Sequence, residues 1–368
     1  MIHYKIGTGF DLGLIDKVAY LNNKYKARAQ VTEFYGSLAF DHELAARPKF
    51  RLPNKDVGDL ANFVEAASAI GVEVNYTMNS IMPFGSKRSM VENTVQVMDW
   101  VHMLEDIGVK LLTVSSPMLL ELIKQNGGTS LRIELSTIAH VDALTQIKYY
   151  NDVYGVQKIC GNLMKNRDFE FIKRAVSLCK ELGMQYELMA NEFCGVGTDG
   201  YATHCIYRDN CYICHATNQT FIDTQLMHNY PMDMCTTGRN ANHANWLRSN
   251  FIRPEDVYTY FVDTGCDRYK LTGRTGSLDF QCKILEAYMS GEFNGDLLEL
   301  WKPLETIKEK NEGESVGYTT VPNKALDGFI NHWRGGFRCA DQVCGTTCNY
   351  CQDRYDKIME SINEYSEE

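Results

Sequence analysis

The chain has 368 residues, of which 44% are hydrophobic and 23% charged, a composition typical of a globular protein with one large core or two smaller ones. Its formal net charge of −10 argues against a general nucleic-acid binder, although a local basic groove stays open. Neither a signal peptide nor a run of about 18 apolar residues is visible, so we expect a cytoplasmic protein without a membrane partner.

Short apolar strands alternate with longer amphipathic segments over the first 275 residues. Segments such as VGDLANFVEAASAIG have helical spacing. Four glycines are predicted to end helices: Gly71, Gly108, Gly183 and Gly265. The strand candidates are YKIGTG (4–9), AQVTEFYG (29–36), VEVNYTM (72–78), KLLTVSS (110–116), LRIELS (131–136), VQKIC (156–160), QYELM (185–189) and DRYKLTG (267–273).

Repeated strand–helix units imply parallel strands joined by right-handed crossovers, and eight of them predict an α/β fold, a (β/α)8 TIM-type barrel. An open doubly wound sheet is the alternative, but no GxGxxG motif opens a helix, so a dinucleotide fold has little support. We predict a barrel over residues 1–283 with a cysteine-rich insertion after strand 7, at about 191–250. Residues 284–368 would form a small helical extension with a cysteine-rich tail.

Nine of the 13 cysteines fall into two groups, and clustered thiols in a reducing compartment favour metal or redox chemistry over disulfides. The first group lies in the predicted insertion and comprises Cys194, Cys205, Cys211, Cys214 and Cys235. Only Cys211 and Cys214 form a tight pair, so a loop-wrapped 4Fe–4S cluster fits better than a structural zinc site. Four nearby histidines keep zinc open as the alternative, and free thiols are the third.

The second group, Cys339, Cys344, Cys348 and Cys351, has the spacing C-x4-C-x3-C-x2-C. Part of it has the CxxxCxxC spacing of radical S-adenosylmethionine enzymes. In those enzymes the motif follows the first barrel strand, whereas here it stands near the end of the chain beside a fourth cysteine. We therefore predict a fully ligated second 4Fe–4S cluster, with zinc as the alternative.

Several segments in order resemble the collagenase-like peptidase family U-thirty-two over roughly residues 3–280. KIGTGFD is similar to that family's opening strand, AQVTEFYGSL to its second, and IGVEVNYTMN to its third. LRIELSTIAHV, YGVQKICGNLMKNRDFEFI and QYELMANEFC resemble later segments, and GCDRYKLTGRTGS resembles its Lys-x-Glu-Gly-Arg signature. The departures are Asn191 and Glu192 for the family's His-Gly, Ile138 for its Gln, and Thr272 for its Glu. Its Arg-Gly-x-Cys-x-x-x-Cys-Arg run has no clean counterpart.

The resemblance implies a barrel with a 4Fe–4S cluster near its mouth and redox chemistry, because better-understood relatives look like oxygen-independent hydroxylases. It places one ligand on Cys194 and makes Cys205 and Cys235 the equivalents by order. Cys214 or Cys211 would complete the four, and we take Cys214. The substrate is not named by the resemblance, and other relatives sit in peptide-modification pathways.

Candidate catalytic side chains lie at predicted strand ends. Asp11 and Glu192 are carboxylates that could transfer protons, as are Glu134 and Glu187. The loop after strand 8 carries Arg274 beside glycines, a setting that suits an acidic group, and Lys270 points the same way if the inward alternation includes it. The alternative is that Arg274 pairs with a barrel carboxylate such as Glu187 and only braces the mouth.

The sequence therefore predicts an iron–sulfur enzyme that modifies a small molecule, peptide or RNA without oxygen, with an electron donor or partner subunit. Nucleic acid is disfavoured as a partner by the charge but is not excluded. A non-catalytic iron–sulfur scaffold and a zinc-dependent hydrolase or peptidase are the alternatives. HExxH and GxSxG motifs are absent from the sequence, so protease chemistry has little independent support.

Overall fold

The computed structural model describes residues 1–47, 49–193, 242–274, 276–301 and 320–366. Eight parallel strands close into one barrel in chain order, which confirms the predicted (β/α)8 fold. The strands are β1 (Ile2–Gly7), β2 (Ala29–Gly36), β3 (Glu73–Met78), β4 (Leu111–Val114), β5 (Arg132–Leu135), β6 (Lys158–Cys160), β7 (Gln185–Met189) and β8 (Arg268–Leu271).

All eight strand candidates coincide with observed strands, and the differences lie at their ends. The first strand was predicted over residues 4–9 but spans Ile2–Gly7. The last was predicted to reach residue 273 but ends at Leu271. Both ends meet at the same place, because the backbone of Arg274 crosses directly over Gly7. That crossing ends the pairing of β1 with β8 earlier than the sequence pattern indicates.

Helices surround the barrel and alternate with its strands. They are α1 (Gly13–Lys24), α2 (Val57–Ala69), α3 (Lys87–Glu92), α4 (Thr94–Asp106), α5 (Pro117–Gln125), α6 (Leu144–Tyr154), α7 (Phe169–Glu181), α8 (Asn245–Arg248), α9 (Pro254–Thr259), α10 (Leu278–Ser290), α11 (Asn331–Arg334) and α12 (Tyr350–Ser366). A capping box formed by Asp56 and Asp59 starts α2. The predicted C-terminal glycines follow helical segments at positive φ, as in Gly71 at +72° and Gly183 at +69°.

The apolar core lies between the outer face of the barrel and these helices. Phe34 on β2 packs edge-to-face on Phe63 of α2 with 5.1 Å between ring centroids, and Phe63 meets Phe10 at 5.5 Å. The chain after β8 belongs to the same core, because Trp333, Tyr355 and Ile358 are buried within it. The predicted division at residue 283 falls inside α10, the helix that follows β8.

The connection between β7 and β8 runs from Ala190 to Asp267. Within it the structure describes α8 and α9, and the residues of the first cysteine group lie outside the described residues. Among the helices that are described, none combines the length and the hydropathy needed to cross a membrane.

Candidate functional site

The inside of the barrel holds charged side chains that pair with one another across it. Lys5 on β1 contacts Glu134 on β5, and its Nζ lies 2.7 Å from Oε1 of Glu187 on β7. Lys158 on β6 contacts Glu33 on β2 and lies 2.8 Å from Oε2 of Glu187 and 3.4 Å from Oε2 of Glu134. All five side chains are buried. A TIM barrel is usually filled by branched apolar side chains, so this interior is unusual.

Neutral polar groups complete this interior network. Asn75 Nδ2 donates to Glu134 Oε2 at 2.8 Å and to Glu33 Oε2 at 3.3 Å, and Thr113 Oγ1 donates to Asn75 Oδ1 at 2.6 Å. Burial alone would raise the pKa of Glu134, but the ammonium groups of Lys5 and Lys158 outweigh burial and lower that pKa to about 2. The Glu134 carboxylate therefore stays ionised, and its ion pairs brace the barrel.

Lys270 and Cys160 lie in the same interior. Lys270 is 4% exposed, and its Nζ lies 4.2 Å from the centroid of the Tyr35 ring. Among the described residues it forms no ion pair, and burial followed by repulsion from Lys5 lowers its pKa. Burial raises the pKa of the Cys160 thiol to about 12, so this cysteine stays protonated. Lys270 is thus a lysine of the barrel interior whose ammonium has no carboxylate partner among the described residues.

Cys160 also belongs to a group that could ligate a metal ion. One ligand atom from each of Glu134, Cys160 and Glu187 lies within 4.8 Å of the others, and no other such group occurs among the described residues. Lys5 and Lys158 already supply positive charge to both carboxylates. A cation would have to displace them, and we therefore assign this group to the bracing network.

Arg274 lies at the carboxyl-terminal mouth of the barrel, in the loop where it was predicted. Its Nη1 donates to Thr77 Oγ1 at 3.0 Å and to Ser37 Oγ at 3.2 Å. It has no ion pair with any described residue, and Glu187 is instead paired with Lys5 and Lys158. The alternative in which Arg274 braces the mouth through Glu187 is therefore not what the structure shows. Burial and then repulsion from Arg47 lower the pKa of Arg274 to about 10.

A buried carboxyl group, Asp41, faces the same mouth. It lies beside Tyr76 and Trp100, and burial raises its pKa to about 7. The two aromatic rings pack edge-to-face with 5.8 Å between centroids. The mouth thus combines a fixed cation, Arg274, with a carboxyl group that changes its charge near neutral pH.

The other two predicted acid–base residues occupy different surroundings. Asp11 is exposed, and its Oδ1 accepts a hydrogen bond from the Gly13 N–H at 2.9 Å at the start of α1. That contact is a local turn that leads into α1. Glu192 follows β7 and is half-buried. The pKa of Tyr35 at the mouth is raised mainly by burial, and the negative charge of Glu192 adds to this increase. Of the four predicted catalytic side chains, the structure brings Lys270, Glu192 and Arg274 to the mouth.

Of the two cysteine groups, the one in the tail lies within the described residues. Cys194, Cys205, Cys211, Cys214 and Cys235 lie outside the described residues. In the tail, Cys339, Cys344, Cys348 and Cys351 are brought together around one cavity of about 20 Å³. Arg167 and Arg248 line the same cavity, so the tail thiols face two cations of the barrel loops.

The sequence did not predict most of the interior network. It also did not predict the two arginines that line the tail cavity beside the cysteines. Buried parallel strands normally read as continuous apolar runs, and charged residues inside them were the available signal. The residues missed are Lys5, Glu33, Asp41, Arg47, Asn75, Thr113, Lys158, Cys160, Arg167 and Arg248.

No family model matches the chain. It is 25% identical over 351 residues to the uncharacterized protease MJ1657 of Methanocaldococcus jannaschii, which covers 94% of this chain and 93% of the relative.

Two solved structures match the chain with low TM-scores. A structure described as the U32 peptidase Mk0906 has a TM-score of 0.42 at 14% identity, over 63% of this chain and 83% of that one. A dihydrodipicolinate synthase has a TM-score of 0.38 at 9% identity, over 99% of both chains. The resemblance read from the sequence is confirmed as a similarity: the chain resembles a relative named a protease, and a structure described as a U32 peptidase is among its matches.

Proposed function

We propose that this chain is an iron–sulfur enzyme of the U32 type, in which the barrel mouth binds an acidic group of the substrate and the substrate is modified without oxygen. The observation that carries the proposal is Arg274, a half-buried arginine at the mouth whose side-chain hydrogen bonds go to two hydroxyl groups. An arginine without a carboxylate partner offers its planar fork of donors to a carboxylate or phosphate.

The charges around Arg274 support binding of an anion. Arg47 repels Arg274 electrostatically, and an anion bound beside them would relieve this repulsion. Lys270 adds a third positive group, which lies over the Tyr35 ring. A cleft lined by several fixed cations raises the local concentration of anionic ligands.

Proton transfer at this mouth is assigned to Asp41 and Lys270. The pKa of Asp41 is raised to about 7 by burial, close to the value at which a group gives and accepts protons well at neutral pH. The pKa of Lys270 is lowered by burial and by Lys5, which eases loss of its proton. Perturbed groups that share one cleft are candidate acid–base pairs.

The iron–sulfur part of the proposal rests on the cysteine spacing of residues 194–235. The curated relative is named a protease, and a peptide's terminal carboxylate would also suit Arg274. Peptide hydrolysis is therefore the second candidate function. The zinc-hydrolase alternative predicts zinc without labile sulfide. The scaffold alternative predicts iron without ligand binding at the mouth.

The test is calorimetric titration of anaerobically purified full-length chain with inorganic phosphate, and with a short peptide as its free acid and its C-terminal amide. Arg274→Lys keeps the charge and loses the fork, so binding of phosphate and free acid should weaken by about 1–3 kcal/mol. Arg88→Lys, on the exposed face of α3, is the matched control. Unchanged affinity in Arg274→Lys would refute the anion site. Cleavage of the peptide would favour the peptidase.

A further inference from the structure

The four tail thiols are arranged by local structure as well as by spacing. Cys339 opens a short turn after α11, Cys344 and Cys348 face each other in an isolated β-bridge, and Cys351 lies in the first turn of α12. Their side chains line one cavity of about 20 Å³. The tail therefore places four sulfur ligands from a short stretch of chain around a single cavity.

The opposite wall of this cavity comes from the barrel and carries a buried cation. Arg167, in the loop after β6, is 3% exposed, and its Nη2 donates to the carbonyl of Leu247 at 2.9 Å. Its Nε and Nη1 are buried and have no hydrogen-bond partner within the described parts of the chain. The guanidinium carbon lies 4.2 Å from the centroid of the Trp333 ring. The ring favours the positive charge, but it does not replace an acceptor for the two N–H groups.

Two unpaired guanidinium donors on a residue that lines a cavity point to an anionic occupant. A buried donor without an acceptor costs about 1–3 kcal/mol, and more when the group is charged. Four cysteine thiolates around a metal centre would provide negative charge and sulfur acceptors at this position. Arg248, whose Nη1 donates to Asn245 Oδ1, lines the cavity as a second cation.

The separation of the sulfur atoms favours a cluster over zinc. In a tetrahedral site with Zn–S bonds of about 2.3 Å, the sulfurs lie about 3.8 Å apart. Among the described residues, the only three potential ligands within 4.8 Å of one another are Glu134, Cys160 and Glu187, so no three of the tail sulfurs are that close. An iron–sulfur cube separates its cysteines more widely, because each thiolate binds a different iron.

We propose that Cys339, Cys344, Cys348 and Cys351 hold a 4Fe–4S cluster, and that Arg167 donates hydrogen bonds to its sulfur atoms. The site is independent of the barrel-mouth proposal, because it shares no residue with the mouth. Its four ligands are all protein thiols, so the cluster has no open iron for a substrate. Arg167 acts on the cluster as a positioning residue through charge and hydrogen bonding.

The first experiment measures iron, acid-labile sulfide and zinc in full-length protein purified without oxygen. The double variant Cys344→Ala/Cys348→Ala should hold about four fewer irons and four fewer sulfides than the wild type. Cys282→Ala, on α10, is the matched control and should lose none. Phosphate binding at Arg274 should be the same in all three proteins, which separates this result from the proposed function. Loss of one zinc, or no loss of iron, would overturn the proposal.

The second experiment tests Arg167 without removing a ligand. Arg167→Gln should keep the iron content and give one reducible centre a more negative midpoint potential, because a positive charge and hydrogen bonds to sulfur favour the reduced cluster. Arg174→Gln, on the exposed face of α7, is the control and should leave the potential unchanged. Equal potentials in the two variants would remove Arg167 from the cluster site.

Discussion

Lys158 shows how strongly single residues are coupled inside this barrel. Its ammonium contacts the carboxylates of Glu33, Glu134 and Glu187, all of them buried. Lys158→Met would leave Lys5 as the direct cation of Glu134 and Glu187 and would remove the ion pair of Glu33, so we expect the free energy of unfolding to fall by about 3–5 kcal/mol. Urea denaturation measures the change. Lys148→Met removes an exposed pair with Asp152 and should cost less than about 1 kcal/mol, and equal losses would contradict a bracing network.

Asp41 gives the mouth a pH dependence that can be measured through stability. Burial raises its pKa from 3.8 to about 7, so the folded protein holds this proton more tightly than the unfolded chain. The resulting stabilisation is complete below about pH 4 and is lost as the pH rises towards 7. Asn does not titrate, so the stability of the wild type relative to Asp41→Asn should fall by up to about 4 kcal/mol over this range.

The measurement for Asp41 is urea denaturation of both proteins at several pH values between 4 and 8. Asp152→Asn, on the exposed side of α6, is the matched control, and its stability difference from the wild type should vary little with pH. A difference that stays constant with pH for Asp41→Asn as well would show that the carboxyl group titrates normally. Asp41 could then not serve as the proton donor of the mouth.

At the scale of elements, the contact between β1 and the loop after β8 positions Arg274. A Cβ on Gly7 would lie 2.5 Å from Arg274 Cβ and 2.8 Å from its backbone nitrogen, so Gly7→Ala must displace the loop. We expect a loss of about 1–3 kcal/mol in stability and weaker phosphate binding, with metal content unchanged. Gly9→Ala is the control, because its nearest contact is at 3.8 Å. Calorimetric titration showing equal binding by both variants would argue against this positioning.

The elements were easier to predict from the sequence than the contacts inside them. Alternating strand and helix patterns are local, and they predicted all eight strands. The ion pair of Lys5 with Glu134 joins residues 129 positions apart, and only closure of the barrel brings them together. Arg167 likewise meets the tail cysteines through folding, although the cysteine spacing itself was visible. Arg274 was predicted because its loop follows a strand end, where barrel sites lie.

At the scale of the whole molecule, the metal content tests both cysteine groups together. If each group holds a 4Fe–4S cluster, anaerobically purified protein should contain about eight irons and eight labile sulfides per chain. Chemical analysis of iron, sulfide and zinc, together with the brown colour of thiolate–iron absorption, measures this. Four irons that disappear in Cys344→Ala/Cys348→Ala would restrict the metal to the tail. Stoichiometric zinc without sulfide would contradict both clusters.

The tail and the barrel should also respond differently when the metal is removed. The first turn of α12 carries Cys351, and Tyr350 donates to the Phe329 carbonyl at 2.8 Å and stacks on His332 with 3.9 Å between ring centroids. Without a metal, this turn borders a cavity that contains the unpaired donors of Arg167. The barrel strands are closed on themselves and keep their own ion pairs.

Chelation of iron under anaerobic conditions should therefore speed hydrogen exchange in α12 while the eight strands stay protected. The reason is that metal binding contributes folding free energy mainly where its ligands lie. Hydrogen exchange read by mass spectrometry gives this comparison for each segment. Cys344→Ala/Cys348→Ala should exchange like the chelated protein and show no further change in α12 on chelation. Uniform acceleration through the strands would mean that the metal supports the barrel itself. Unchanged exchange in α12 would mean that the cluster does not hold this helix against the barrel loops.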